Sequence, residues 1–218
     1  MPKVTDRFGR PTSGQMPGLV EGIVVDNVDP DEMGRVKLKF PLLPETPESF
    51  WARLVMPMAG RERGWMTIPE IDDEVLVAFV HGDVNNAIVL GSLYNGVDTP
   101  PYANEDGDNN LRVFQSRSGH RLTFDDTDGS ERIELILHNE EIRLLWDSAN
   151  KVLSVYCGKD IIIESVETIS MKCKDFILEA SNSINIKAGK TMDVTTGTDC
   201  SVDGGSQLTL TASKTSIN

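Results

Sequence analysis

From Leu153 to Asn218 the chain contains no proline and repeats a short strand-like signature about every eight residues. The apolar pairs are Leu153/Val155, Ile161/Ile163, Ile169/Met171, Phe176/Leu178, Ile184/Ile186, Met192/Val194, Cys200/Val202 and Leu208/Leu210. Residues two apart on a strand share a face, so each pair turns inward together. Between the pairs lie Ser, Thr, Asn, Asp, Gly and Lys, which suit corners. A repeat this short cannot bury its own apolar face, and neighbouring repeats or neighbouring chains must complete the core. Three chains winding around one axis would each supply one wall of a triangular core. Strands stack about 4.8 Å apart, so eight layers make a shaft of roughly 40 Å. The step from Ile169 to Phe176 is seven residues, and either Phe176 or Ile177 can take the inward slot there.

Composition separates this tail from what precedes it. All 11 prolines lie at or before Pro101, and the last arginine is Arg143. The formal net charge is -13, which argues against non-specific binding to a phosphate backbone. Cys157, Cys173 and Cys200 are odd in number and lack metal-ligand spacing, which fits a reducing site of synthesis. Cys200 occupies an inward slot and reads as a small hydrophobe. Neither a signal peptide nor an apolar run long enough to span a membrane is found. Assembly in the cytoplasm of the producing cell is therefore expected.

Residues 1–17 carry two glycines and three prolines and read as a flexible or partner-ordered arm. Residues 18–95 hold strand candidates at Leu19–Val25, Arg35–Phe40, Trp51–Val55, Glu74–Phe79 and Ala87–Leu93, separated by Gly, Pro and Asp turn signals. Five short strands predict a small closed barrel, an OB-fold or an SH3-like one. Residues 96–110 form a linker. A strand-rich neck, 111–152, offers Leu111–Ser116, Arg121–Asp125, Arg132–Leu137, Ile142–Trp146 and Val152–Tyr156. Residues 153–218 are the repeat. No helix is expected, and the fold class is all-β.

Candidate chemistry is sparse. Asp72-Asp73-Glu74, Asp125-Asp126 and Asp128 lack the glycine and final acid of a calcium loop and read as solvated turn carboxylates. His120 near Asp125 has no nucleophile beside it. Trp51 and Trp65 could stack bases, but they flank strands where barrel packing explains them. Arg53, Arg61 and Arg63 form the one compact basic group, suited to an acidic partner or to solvent. The sequence therefore predicts no catalytic, cofactor-binding or metal-binding residue and no enzymatic activity.

Several ordered motifs are more specific. They are Gly18-Leu19-Val20-Glu21-Gly22-Ile23-Val24, Asp31-Glu32-Met33-Gly34-Arg35-Val36-Lys37-Leu38, Gly64-Trp65-Met66-Thr67-Ile68-Pro69 and Gly82-Asp83-Val84-Asn85-Asn86-Ala87-Ile88-Val89-Leu90-Gly91, followed by Ser116-Arg117-Ser118-Gly119-His120-Arg121-Leu122-Thr123-Phe124-Asp125. On these the chain resembles the central spike proteins of contractile injection systems, the phage baseplate assembly protein V family and the matching part of VgrG proteins. The resemblance covers about residues 18 to 216.

That resemblance implies an N-terminal OB-fold followed by an intertwined trimeric β-helix needle. The implied function is a structural baseplate spike that joins a trimeric hub and pierces the target envelope on contraction. The hub would be a separate protein, because only the short arm precedes the barrel, and a PAAR-like protein would cap the C-terminal end. The length also leaves no room for a lysozyme domain. His81, His120 and His138 all precede the repeat, so a His-x-His metal tip is not expected. Two other classes stay open. A trimeric fibre or adhesin binding polysaccharide would show a wider repeat and exposed aromatics, whereas this shaft has only Tyr156 and Phe176. An OB-fold nucleic-acid-binding module would have to overcome the negative charge.

Overall fold

Alternation of apolar and polar residues, cut by turn residues, makes strands throughout the front of the chain. The computed structural model describes residues 18–42 and 48–216, so the arm expected over 1–17 lies outside the described residues. Two units are distinguished, one ending at Ile161 and one spanning Ile162–Asn218.

The first sheet is built from β1 (Leu19–Asp26), β2 (Lys37–Lys39), β3 (Arg53–Leu54), β6 (Glu74–Phe79) and β7 (Ala87–Ser92), in the order β2-β1-β6-β7-β3. Between β3 and β6 a small hairpin joins β4 (Ala59–Gly60) to β5 (Arg63–Gly64). All pairings in the main sheet are antiparallel except β3 with β7. The two ends of the row meet. Val36 and Ala52 exchange backbone hydrogen bonds of 3.0 and 2.7 Å beside β2 and β3. That bridge closes the sheet into a five-stranded barrel and removes the free edges an open sheet would leave.

The barrel core follows from alternation. Val24, Val36, Leu38, Val75 and Val77 are fully buried, with Phe40, Phe79, Ala52, Ala87 and Val89 around them. Phe40 and Phe79 meet edge to face with centroids 5.4 Å apart. Gly22 lies where a Cβ would come within 3.2 Å of Val77 and 3.4 Å of Phe40, so β1 approaches the core closely at that point.

The second sheet is an antiparallel meander in strict sequence order. Its strands are β8 (Leu111–Gln115), β9 (Arg121–Asp125), β10 (Arg132–Ile136), β11 (Ile142–Asp147) and β12 (Val152–Cys157). Short turns join them, as chain-adjacent antiparallel strands require. At the first turn Gly119 has φ +86°, and a Cβ would stand 3.1 Å from that of His138. Leu153 and Val155, read from the sequence as the first inward pair of the repeat, lie in β12 and pair with Trp146 and Leu144. Among the described residues no strand follows Cys157 and no α-helix occurs; the one helical element is a 3-10 turn at Val80–Gly82. Every described residue from Gly158 onward is exposed.

Candidate functional site

The expected clusters of ionisable residues are occupied with structure. Asp73 accepts the Glu70 N–H at 2.9 Å, and Glu74 accepts from the Asn95 amide at 2.7 Å. Asp125, at the end of β9, is buried. It accepts from the Thr127 N–H and hydroxyl at 3.0 and 2.6 Å and pairs with Arg132 at 2.9 Å. The Thr127 hydroxyl, opposed by burial, holds its carboxyl below the usual range. His120 precedes β9 and Asp125 ends it, so they stand five residue steps, about 16 Å of strand, apart. Instead His120 Nδ1 accepts the His138 N–H at 3.3 Å. Among the described residues no three His, Cys, Asp or Glu side chains converge to hold a metal ion.

One ion pair of consequence sits where the sequence shows only a turn signal. Asp29, with its side chain 3% exposed, is gripped by Arg35 through Nε at 2.8 Å and Nη2 at 2.7 Å. It also accepts the N–H groups of Asp31, Met33 and Arg35 at 3.1–3.2 Å. The guanidinium beside it, helped by those N–H groups, holds this carboxyl far below the ordinary range. The β1–β2 loop is thereby fixed in one shape. The short spacing Asp29…Arg35 is the one signal of this pair in the sequence.

The barrel surface gathers part of the basic group. Arg53 and Arg63 border a groove with Met33, Met56, Met58 and Met66, whereas Arg61 is not among its lining residues. Trp65 stands on the rim, exposed, with its ring edge-on to Phe114 of β8 at 6.4 Å. Trp51 is half-buried, with the Lys37 ammonium 5.0 Å from its ring centroid. Each tryptophan therefore has basic side chains near it, Arg53 and Arg63 around the groove of Trp65 and Lys37 over Trp51, within a chain of net charge -13.

Much of what remains uncovered is apolar. In the tail both members of nearly every pair, from Ile161/Ile163 to Leu208/Leu210, are large and exposed. The meander adds Phe114, Phe124, Ile133, Leu135, Trp146, Leu153 and Val155. Large exposed apolar side chains in such number mark an interaction surface in each unit taken by itself. Among the described residues the geometry offers packing surfaces and no arrangement of acid, base and nucleophile.

Comparison with known proteins gives the same direction. Residues 20–94 match the family described as the type VI secretion system/phage-baseplate injector OB domain. Over 143 residues the chain is 32% identical to the type VI secretion system spike protein VgrG3 of Vibrio cholerae, covering 62% of this chain and 14% of that protein. It is 32% identical over 122 residues to the spike protein VgrG2a of Pseudomonas aeruginosa, covering 52% and 14%. The actin cross-linking toxin VgrG1 of V. cholerae is 29% identical over 164 residues, covering 64% and 15%. The chain thus spans about one seventh of the length of these relatives.

Proposed function

The chain carries the injector OB domain of the VgrG-like central spike family, and from that premise we propose that it is a structural spike of a contractile injection particle, trimeric, piercing by rigidity. The barrel, 18–95, docks the spike to a trimeric hub. Residues 111–152 form a neck, and 153–218 form a three-chain β-helix shaft whose far end seats a PAAR-like tip. Assembly takes place in the cytoplasm of the producing cell, before contraction drives the spike into the target envelope.

The observation that carries this reading is the state of the tail in one chain. From Ile161 onward its apolar pairs recur every seven or eight residues, yet the single chain neither buries them nor pairs their backbone in a strand. Every unpaired N–H and C=O along 158–216 is open to a strand from another chain. Three copies around an axis satisfy both demands at once: the pairs meet inside, and the ladders close between chains.

No turnover is assigned to it. The cross-linking activity in the name of one relative belongs to a protein of which this chain overlaps 15%, and it is not carried over.

Hydrogen exchange of the purified full chain tests the shaft directly. Amides from 162 to 216 should resist exchange for hours, as a continuous ladder requires. Exchange of those amides within seconds, while barrel amides stay protected, would contradict the shaft.

A further inference from the structure

The apolar pairs of the tail leave one feature of the repeat without a part to play, the placing of its charges. Counted from the pairs, the residue directly after each second member reads Glu164, Lys172, Glu179, Lys187 in four successive repeats. The signs alternate without a break, across steps of eight, seven and eight residues. The residue two before each first member does the same where Glu167 is followed by Lys174. The other charged residues from Asp175 to Lys214 have uncharged residues at the same place in the neighbouring repeats. From Glu164 onward, no place in the repeat carries like charges in succession.

The seven-residue step obeys this alignment. One residue, Cys173, separates Lys172 from Lys174, where pairs such as Ala180-Ser181 and Ala188-Gly189 fill the same corner in the next repeats. The missing residue therefore belongs to a corner, and the alternation passes over it. The alternation also assigns the inward slot. With Phe176 and Leu178 inward, Glu179 points outward and keeps its place; with Ile177 inward, Glu179 would turn into the core, where an unpaired carboxylate is costly. In the single chain all six of these Glu and Lys residues are exposed. Among the described residues none of them makes an ion pair. One chain gives the alternation nothing to act on.

We propose that these charges form two columns on the outside of the shaft and set its register, admitting other copies of this chain only in phase. The proposal rests on the three-chain reading above. When each repeat climbs one layer, residues at the same place in successive repeats stand one above the other, about 4.8 Å apart, whichever chain supplies them. Glu164, Lys172, Glu179 and Lys187 then meet only opposite signs, which attract across neighbouring strands where like signs repel. The apolar pairs are alike in every layer, so they do not oppose a chain that slips by one repeat. The charges do: a chain displaced by one layer sets Glu against Glu and Lys against Lys. Exposed ion pairs add little stability, and their value here is the penalty they place on wrong pairings.

Two full-length variants of unchanged net charge test the columns. The inverted chain, Glu164→Lys, Lys172→Glu, Glu179→Lys and Lys187→Glu, keeps the alternation. The scrambled chain, Lys172→Glu with Glu179→Lys, sets Glu beside Glu164 and Lys beside Lys187. The inverted chain should reach three times the mass of the 24.0 kDa chain and melt with wild type. The scrambled chain should melt several degrees lower at low salt and recover at about 1 M salt, where screening shortens to about 3 Å. Wild type and inverted chain are also co-expressed, one with a short tag, and their particles counted by native mass spectrometry. Random assembly makes about three quarters of them mixed, and the columns require less than half that share. Random mixing, a scrambled chain that melts with wild type at low salt, or a gap that persists at high salt overturns the columns and leaves the three-chain shaft standing. So does an inverted chain that fails to assemble beside a wild type that does. A wild type with the mass of a single chain overturns both.

Discussion

Replacing Ile186 with aspartate separates a chain that works alone from one that works in threes. In the single chain Ile186 is 66% exposed, and a surface substitution there costs within about 0.5 kcal/mol either way. In a three-chain shaft the same change places three carboxylates around one axis. Each loses several kcal/mol in desolvation, and neighbouring charges repel by about 4 kcal/mol at 4 Å with an effective dielectric near 20. The sum is on the order of 10 kcal/mol per particle or more, enough to break the shaft at that layer. Burial and mutual repulsion would raise the introduced carboxyl's pKa above its unfolded value near 3.9. A raised carboxyl pKa destabilises above the unfolded pKa and is harmless below it, so the deficit should grow as pH rises from about 4 and shrink on acidification. The assay is melting by circular dichroism at fixed chain concentration between pH 4 and 8, with Asn185→Asp as the control on the outward side. Equal melting of Ile186→Asp, Asn185→Asp and wild type at pH 7 would refute the three-chain core.

Further outcomes follow from the first unit. Leu38→Ala empties a fully buried site and should cost the barrel about 2–5 kcal/mol, read from the urea midpoint of its transition. Asp29→Asn removes the partner of Arg35 and should lower melting at pH 7. Because the Asp29 carboxyl is held far below its ordinary range, its contribution is complete above the unfolded pKa near 4 and is lost as pH falls, so the gap from wild type should narrow in acid. Thr127→Val removes the hydroxyl that holds the Asp125 carboxylate and should destabilise by about 1.5 kcal/mol, with a titration of Asp125 by NMR moving upward.

Much of the fold is legible because alternation and turn chemistry agree locally. Glu74–Phe79 and Arg121–Asp125 match their strands to the residue, and the other strands expected between Leu19 and Tyr156 differ at their ends by one or two residues, whereas the strand-like repeat beyond Cys157 shows no strand among the described residues of the single chain. The hairpin at Ala59–Gly60 and Arg63–Gly64 escapes such reading, since two-residue strands of small and charged residues carry no alternation. Closure of the barrel rests on the parallel pairing of β3 with β7 and on the Val36–Ala52 bridge, contacts between segments distant in sequence. Folding gives Trp51, Trp65 and Asp73 partners that no motif in the sequence shows, namely Lys37, Phe114 and the Glu70 N–H. The apolar face of the meander needed the register. Phe124, Ile133, Trp146 and Leu153 come from four strands, and no stretch of sequence shows them as one row.

Solution molar mass of the untagged full chain, by light scattering coupled to size exclusion, bears most directly on the proposal that this chain is a rigid three-chain spike. The proposal predicts a particle with three times the mass of the 24.0 kDa chain. A folded species with the mass of a single chain would contradict it.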